Sequence, residues 1–336
     1  MTETQNWARI RDITTGTLMV ITDLHGDWEA YQRYRDHFLQ LHAQGKADYL
    51  IFAGDLIHYS GPPEADRSLE MVLDVLKLQE SLGDHVIYLL GNHEVPHLYS
   101  ITLQKGKHLY TPSFEAAMGQ HRYQVLTLFD SLPLYVRTSG GVSISHTGAA
   151  SVFSDQVNAA RIFTFSHKRI WRETAESLTP ELRPTLRRSL SRSSKRPYDD
   201  TIREYFAING PEDPRYDHFL IGAVATSSHP DFQLLWEALF TRNELQYDAE
   251  AYELMQQSTL EALSWQFEPQ QVLVSGHIDC KGGYKLVGEK QLRFASAKHA
   301  LPRESGVYLL FDAEKRVKTA VELIPHLGSV FKSETR

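Results

Sequence analysis

The sequence predicts an α/β fold whose sheets are interrupted by one long helical segment. Short apolar runs alternate with amphipathic helices early in the chain, and apolar runs of strand length return near its end. The segment between these parts shows helical spacing and no strand alternation. We therefore expect one domain over 1–336, with a core at about 17–149 and 270–325 and a mostly helical insertion at 150–265.

The predicted strands are short apolar runs, each followed by a polar or glycine-containing segment, as is typical of buried strands. They are Leu18–Ile21, Tyr49–Phe52, Val86–Leu90, Leu134–Val136, Val142–Ser145, Val272–Val274, Leu292–Phe294, Val307–Phe311 and roughly Val317–Leu323. Open α/β sheets bind ligands in the crevice past the carboxyl ends of such strands, so functional side chains are expected there.

Three helices are predicted in the first part of the core. Trp28–Gln44 has apolar residues at helical spacing and follows Asp27, which suits the N-cap position. The second helix runs roughly from Ala65 to Leu82 and ends before Gly83, a C-cap residue. The third runs roughly over Phe114–Phe129.

The helical insertion contains a basic Ser/Arg-rich loop at about 183–198. Between Arg161 and Arg196, ten Lys or Arg residues stand against three Glu. A solvated surface loop accounts for this composition, and so does a basic lid or docking surface for an anionic substrate or partner. The sequence alone leaves both interpretations open.

Composition and charge exclude several classes of function. The formal net charge of −7 argues against nucleic-acid binding by bulk electrostatics. No apolar stretch reaches the length of a membrane span, and the polar N-terminus lacks a signal-peptide apolar region. Cys280 is the only cysteine, which rules out an intrachain disulfide and fits a reducing compartment. We expect a cytoplasmic protein with no membrane or nucleic-acid partner, and no oligomeric state is predicted.

Residue types that bind metals follow the predicted strands. In chain order the motifs are Asp23-Leu24-His25-Gly26, Gly54-Asp55, Gly91-Asn92-His93-Glu94, His146-Thr147-Gly148 and Gly276-His277. Taken singly, Asp55 is equally well explained as a helix N-cap, and the two later histidines as hydrogen-bonded structural residues. Their succession at strand ends instead predicts a hydrolytic site with two metal ions.

The chemistry of these side chains suits such a site. Mixed imidazole and carboxylate ligands are accepted by Mn²⁺, Fe²⁺ and Zn²⁺, and the two oxygens of Asp55 can bridge two ions. Because His93 is the neighbour of Asn92, it can face the substrate and protonate the leaving oxygen as a general acid. The candidate metal ligands are Asp23, His25, Asp55, Asn92, His146 and His277.

These motifs resemble those of the calcineurin-like metallophosphoesterases, and within them the PPP-type phosphoprotein phosphatases. The resemblance extends to Phe129–Leu134, Gly283-Tyr284 and Phe294–Ala297. It implies layered β-sheets flanked by helices, with the insertion before the last metal-ligand strand. It also implies that the six ligand candidates hold two divalent ions, Mn²⁺ or an Fe/Zn or Fe/Mn pair, with His93 as the catalytic acid. Leu235-Trp236, followed by Thr241-Arg242-Asn243, resembles a family segment in which an Arg downstream of a Trp holds phosphate, which makes Arg242 a candidate for substrate binding.

The second motif departs from the family pattern Gly-Asp-x-x-Asp-Arg-Gly. His58 and Tyr59 stand where the family has the Asp that orients the catalytic His and an Arg that binds phosphate. Asp66 and Arg67 can supply these groups from a short insertion, or they simply begin the next helix. Loss of a bidentate Arg favours diesters or lowers activity on monoesters. A further departure is Lys298-His299-Ala300, in place of the family's Pro-Asn-Tyr.

Three functions are compatible with this pattern. The first is a phosphomonoesterase acting as a protein serine/threonine phosphatase by attack of a metal-bound hydroxide, with a phosphorylated protein or a small phosphoester as substrate. The second is hydrolysis of nucleotides, dinucleoside polyphosphates or phosphodiesters, which the missing Arg and the basic insertion favour. The third is a weakly active scaffold on the same fold, against which the complete ligand set argues.

Overall fold

The computed structural model describes residues 7–106 and 108–331. The chain forms two compact units, and each is described by itself. The sheet unit comprises Met1–His93, Leu132–Phe165 and Leu235–Arg336, and the helical unit comprises Glu94–Ser131 and Ser166–Leu234. Both ends of the insertion predicted at 150–265 lie within the sheet unit, and its middle part, Ser166–Leu234, lies within the helical unit.

Strands and helices alternate in the first part of the chain, α-helices alone follow over the described residues 156–263, and strands return from Val272. The strands are β1 (Ile10–Ile13), β2 (Thr17–Ile21), β3 (Tyr49–Phe52), β4 (Val86–Tyr88), β5 (Gln104–Lys105), β6 (His108–Leu109), β7 (Tyr135–Thr138), β8 (Val142–Ser145), β9 (Val272–Ser275), β10 (Cys280–Lys281), β11 (Tyr284–Val287), β12 (Gln291–Phe294), β13 (Ala300–Leu301), β14 (Tyr308–Asp312) and β15 (Leu327–Gly328).

The α-helices are α1 (Trp28–Ala43), α2 (Ser68–Leu82), α3 (Val95–Leu98), α4 (Tyr110–Met118), α5 (Arg122–Ser131), α6 (Gln156–Phe163), α7 (His167–Ser177), α8 (Leu182–Ser194), α9 (Tyr198–Phe206), α10 (His218–Ser228), α11 (Pro230–Leu239), α12 (Asn243–Gln246) and α13 (Ala249–Leu263). Short 3-10 helices lie at Pro63–Ala65, Gly83–His85, Gly119–His121, Ser151–Ser154, Arg303–Ser305 and Ala320–His326. No helix in the described part of the chain is both long and apolar enough to cross a membrane.

Two mixed sheets form the framework of the sheet unit. One has the strand order β1-β7-β8-β9-β12-β11 and the other β15-β14-β2-β3-β4. Within the first, β8, β9 and β12 run parallel, and within the second, β2, β3 and β4 run parallel. Parallel neighbours present their carboxyl ends at the same edge, so each sheet brings three strand ends together.

The core of the sheet unit contains side chains from both sheets. Val20 of β2 and Val274 of β9 belong to the same buried cluster, together with alternate residues of the other central strands. The intervening residues of each strand point away from this cluster, because side chains alternate along a strand. On that outer face Phe52 stacks on Tyr31 of α1, with ring centroids 5.9 Å apart. The sheets are therefore layered and flanked by helices, as the sequence predicts.

The carboxyl ends of β2 and β12 are joined by hydrogen bonds across the two sheets. The backbone N–H of Thr22 donates to Ser296 Oγ at 2.9 Å, and the N–H of Ser296 donates to Thr22 Oγ1 at 3.1 Å. Because Thr22 is the first residue after β2 and Ser296 the second after β12, this pair fixes the loop after β2 next to the loop after β12.

The helical unit has its own apolar cluster, which includes Ile202, Phe206 and Leu220. The basic segment predicted as a loop at 183–198 is instead largely helical, over α8. The prediction failed because Leu186 and Leu190, one helical turn apart, pack against the cluster and were hidden among the Arg and Ser residues.

Two other element predictions differ from the structure. The strand predicted at Val317–Leu323 is wrong, since Ala320–His326 is a 3-10 helix that begins with a capping box between Thr319 and Glu322. The helix predicted over Phe114–Phe129 is divided into α4 and α5 by Gly119, whose φ of +43° interrupts the helical backbone.

Candidate metal centre

The predicted ligands lie in loops at the carboxyl ends of parallel strands. Asp23 and His25 follow β2, Asp55 follows β3 and Asn92 follows β4, while His146 and His277 follow β8 and β9. The loops are tied to each other by backbone groups that donate to Asp carboxylates. The N–H of His93 donates to Asp55 Oδ1 at 2.9 Å, and the N–H of His277 donates to Asp23 Oδ2 at 2.8 Å.

Several of these residues adopt a strained backbone. His25, Asp55, His58 and His277 have φ values of +46°, +51°, +74° and +69°, a region that non-glycine residues rarely occupy. The N–H groups of Leu24 and His25 both donate to the Asp55 carbonyl oxygen, which holds two of the strained turns together. Strain of this kind persists at functional sites because the surrounding contacts enforce it.

The structure brings the side chains into overlapping groups. Possible ligand atoms of Asp23, Asp55, His146 and His277 all lie within 4.8 Å of one another. The same limit encloses two further groups, Asp23 with His25 and His299, and His25 with Asp55 and His93. Asp23, His25 and Asp55 are each shared between groups, as expected where neighbouring ions have common ligands.

Hydrogen bonds to backbone carbonyls determine the histidine tautomers. His25 Nδ1 lies 3.1 Å from the Ile57 carbonyl oxygen, and His146 Nδ1 lies 2.9 Å from that of Ala53. A carbonyl only accepts, so both Nδ1 atoms carry the proton. When the rings are neutral, as metal ligands are, each Nε2 presents a lone pair, and Asp55 Oδ2 lies 3.5 Å from the Nε2 of His25 and 3.4 Å from that of His146. A lone pair and a carboxylate oxygen repel each other, so a cation between them is strongly favoured.

The distances agree with that interpretation. Two ligand atoms on one ion, each about 2.0–2.2 Å from it, are separated by roughly 2.8–3.8 Å at angles of 90–120°. Besides the two distances to Asp55, His146 Nε2 lies 3.0 Å from Asn92 Oδ1 and 3.1 Å from His277 Nδ1. All of these separations fall within the range.

The electrostatics also favour positive charge in the cluster. Burial raises the pKa of Asp55, but the charge of His146 and its neighbours outweighs burial and holds that pKa well below its usual value. Burial lowers the pKa of His146, and the Asp55 carboxylate overcomes this and raises it to about 10. Asp23 Oδ1 is buried and accepts no hydrogen bond from the described residues. A bound cation satisfies both carboxylates, so the residues present fit divalent metal ions.

His93, the predicted acid, lies at the edge of the cluster and is half-buried. The ring centroids of His93 and His25 are 4.4 Å apart, and His93 Nδ1 lies 3.0 Å from Nδ1 of the buried His58. His58 thus occupies the position beside His93 at which the resemblance implies an Asp. Asp66 does not reach His93, because it accepts hydrogen bonds from Ser68 at the start of α2.

The two predicted phosphate-binding arginines differ in position. Arg242 is exposed and close enough to His277 for its charge to lower the pKa of that histidine, in addition to the larger effect of burial. Arg67 donates to the carbonyl oxygens of Glu64 and Asp66 and pairs with Glu70 at 3.8 Å. The charge of Arg242 is therefore felt at His277, whereas the guanidinium of Arg67 bonds within its own turn and to Glu70.

Sequence reasoning missed three side chains near the cluster. They are His58, Lys298 and His299, all at positions where the chain departs from the family pattern. Lys298 is exposed, and its charge contributes, after burial and the charges of two histidines, to lowering the pKa of His25. Their position in the sequence could have indicated them, since Lys298 and His299 follow the predicted strand that comes next along the chain after the last ligand strand.

Comparison with known proteins identifies a family. A sequence model described as calcineurin-like phosphoesterase matches residues 16–219, which is more than half of the chain. No curated protein sequence matches the chain.

Similar solved structures include three phosphatases or phosphoesterases. A protein serine/threonine phosphatase from Saccharomyces cerevisiae is 12% identical, with 91% of this chain and 76% of that chain covered and a TM-score of 0.48. A cold-active protein-tyrosine phosphatase of a psychrophilic Shewanella is 14% identical, with coverages of 95% and 85% and a TM-score of 0.44. A metallophosphoesterase from Sphaerobacter thermophilus is 14% identical, with coverages of 91% and 89% and a TM-score of 0.38.

Proposed function

The chain belongs to the calcineurin-like phosphoesterase family of metal-dependent phosphoester hydrolases, and from this premise we propose that it is a phosphomonoesterase that acts on phosphoserine and phosphothreonine in proteins. The observation that carries the proposal is the placement of His93 and two exposed cations, Arg242 and Lys298, around one buried cluster of carboxylates and imidazoles.

The proposed ligands are the six residues named from the sequence. When bound, two divalent ions supply Lewis-acid charge to the phosphoryl oxygens and an activated water as nucleophile. The chain itself sets the positions of these ions. Asp55 lies between His25 and His146, and its other oxygen accepts the N–H of His93 at 2.9 Å. One carboxylate therefore positions both the ligands and the backbone of the proposed acid.

His93 is proposed as the general acid that protonates the leaving oxygen. Serine and threonine alkoxides are poor leaving groups, so their release depends strongly on proton donation. His58 lies 3.0 Å from His93 through the Nδ1 atoms, and this contact restricts the rotation of the His93 ring. Since His93 is half-buried, part of this residue remains open to solvent.

The charge around the cluster supports a monoester substrate. A phosphomonoester carries up to two negative charges in neutral solution, and a diester carries one. Arg242 is close enough to His277, and Lys298 close enough to His25, for their charges to lower the pKa of these histidines, so two cations lie in the surroundings of the cluster. Together they replace the charge that the family Arg supplies at the position of Tyr59. The ligand types suit Mn²⁺, Fe²⁺ or Zn²⁺, and we propose Mn²⁺ as the activating ion.

Hydrolysis of diesters or nucleotides is the second candidate. Tyr59 favours it, because a Cβ on Gly26 of the first motif would lie 2.7 Å from Tyr59 Cβ. The backbone end of Tyr59 therefore lies beside the first motif, where the resemblance implies an Arg, and its ring lies against Gly61. A position without a guanidinium suits a singly charged diester better than a doubly charged monoester.

A substrate panel separates these functions. The protein is stripped of metal, given Mn²⁺, and assayed on a phosphoserine peptide, a phosphodiester and a dinucleoside polyphosphate. We expect the highest kcat/KM on the phosphopeptide, and a rise in KM for that peptide in Arg242→Ala and Lys298→Ala. Arg67→Ala is the matched control, because its guanidinium contacts only its own turn.

Other outcomes contradict the proposal. Preference for the diester or the polyphosphate supports the second candidate. Metal binding without turnover of any phosphoester supports the scaffold hypothesis. Full activity of Asp55→Asn on the phosphopeptide would overturn the role of the cluster itself.

A further inference from the structure

His299 belongs to the loop after β12 and is not among the ligands that the family resemblance implies. β12 runs parallel to β9, so its carboxyl end reaches the edge of the sheet from which His277 projects. The hydrogen bonds between Thr22 and Ser296 then place the loop after β12 beside Asp23. The Lys298 N–H donates to the Asp23 carbonyl oxygen at 3.2 Å, which completes this attachment.

A carboxylate outside the cluster fixes the tautomer of His299. Its Nδ1 lies 2.6 Å from Asp279 Oδ1, so Nδ1 donates its proton to that carboxylate. Parallel pairing of β10 with β13 maintains this contact, since the Cys280 N–H donates to the His299 carbonyl oxygen at 2.7 Å. In the neutral ring Nε2 is left with a lone pair.

That lone pair faces a buried carboxylate oxygen. His299 Nε2 lies 3.7 Å from Asp23 Oδ1, which is too far for a hydrogen bond. The same oxygen accepts no hydrogen bond from the described residues, although Asp23 is fully buried. An unsatisfied buried acceptor is costly, so this oxygen requires a partner.

One metal ion satisfies both atoms. A separation of 3.7 Å lies within the roughly 2.8–3.8 Å expected for two ligands of one ion. The ring of His25, a proposed ligand, lies 5.5 Å from that of His299 at an angle of 82°. A carboxylate bonded to the far nitrogen of a ligating histidine is the usual outer contact of metal sites.

We propose that His299 is a further metal ligand, which binds one of the two ions together with Asp23 and His25, and that Asp279 positions it. The inference rests on the proposed function only in requiring metal ions, and it makes no assumption about the substrate. It also explains why this chain has Lys298-His299-Ala300 where the family has another sequence.

The test measures metal binding directly. Metal-free wild type, His299→Ala, Asp279→Asn and His229→Ala are titrated with Mn²⁺ and, separately, Zn²⁺, with calorimetry for affinity and elemental analysis for stoichiometry. His229 is a matched control, because it also contacts a carboxylate, Glu173 at 3.2 Å, and has a side-chain exposure of 12% against 14% for His299. Thermal unfolding of the metal-free proteins checks that all variants fold.

We expect His299→Ala to retain one tightly bound ion and to lose the second or bind it at least tenfold more weakly. Asp279→Asn should weaken the same ion by about 10–100-fold, and His229→Ala should bind both ions like wild type. If His299→Ala binds two ions with wild-type affinity, the inference is overturned.

The two proposals fail separately. If wild type binds two ions and hydrolyses no phosphoester, the proposed function fails and the loss of an ion in His299→Ala still supports the ligand. If wild type hydrolyses the phosphopeptide and His299→Ala keeps both ions, the ligand assignment alone fails. Wild type that takes up neither Mn²⁺ nor Zn²⁺ would overturn both.

Discussion

Replacing Gly54 with alanine perturbs one proposed ligand without removing it. Gly54 follows β3 with a φ of +92°, and a Cβ at this position would lie 2.6 Å from His146 Nδ1 and 2.9 Å from the Gly91 Cα. Ordinary contact begins at 3.4 Å, so the imidazole has to move by about 0.8 Å, the difference between the two distances to its Nδ1. The new methyl group cannot shift towards Gly91 instead, because the backbone there is rigid and already in close contact.

This displacement breaks the contact that orients His146. In the wild type, Nδ1 lies 2.9 Å from the Ala53 carbonyl oxygen and Nε2 lies 3.4 Å from Asp55 Oδ2. The displacement moves both nitrogens away from these positions. We expect Mn²⁺ affinity to fall about 10–100-fold and kcat on the phosphopeptide to fall on the order of 100-fold. The backbone strain itself should lower the free energy of unfolding by about 1–2 kcal/mol.

Gly45→Ala is the matched control for this strain. Gly45 has a φ of +67°, and no atom lies within 4 Å of its Cβ position. Both variants are compared by urea unfolding without metal, by calorimetric titration with Mn²⁺ and by turnover. If Gly54→Ala binds Mn²⁺ as tightly as Gly45→Ala, the position of His146 does not control the metal centre and the reasoning is refuted.

Three other predictions concern buried polar groups. Arg137 is buried and holds Asp12 through two hydrogen bonds of 2.7 and 2.8 Å, so Arg137→Met should lower the free energy of unfolding in urea by at least about 2 kcal/mol, and a loss under 0.5 kcal/mol would contradict this. Burial raises the pKa of Glu115, but the hydrogen bond and charge of His97, with another cation, lower it overall. Its contribution to stability is therefore present at neutral pH and lost on acidification, and the stability difference between wild type and Glu115→Gln should shrink below about pH 4. Burial, with neighbouring carboxylates, raises the pKa of the Cys280 thiol to about 12, so native protein at pH 8 should not react with iodoacetamide unless it is first unfolded.

Much of the fold was predictable because its local signals are strong. Asp27 caps α1 by accepting the Ala30 N–H at 3.1 Å, and Gly83 follows α2 with a positive φ, as the sequence indicates. Continuous apolar runs indicated the central strands, which are buried on both faces. The strand predicted at 317–323 failed because the Thr319 and Glu322 capping signature was read as part of an apolar alternation.

The candidate site residues can be recognised in the sequence to the extent that they lie in short motifs. Asp23 and Asp55 each occur within a recognisable pattern directly after a strand. His299 does not, since it lies five residues beyond β12 and its position depends on hydrogen bonds to a loop from the other sheet. The division into two units was equally hidden, because it depends on which distant segments pack together.

The origin of the proposed ligands in two different sheets couples metal binding to the packing between those sheets. Asp23 and Asp55 project from one sheet, and His146 and His277 from the other. Metal bonds that span this gap resist sliding of one sheet against the other, so the ions should act as a cross-link and raise the unfolding temperature by an amount that grows with the logarithm of their affinity. Conversely, truncation of Val20 or Val274 in the shared apolar cluster leaves a cavity between the sheets. This cavity should alter the distances between the proposed ligands, although no ligand is changed. Natural variation in that apolar layer can then tune metal affinity while every ligand is retained.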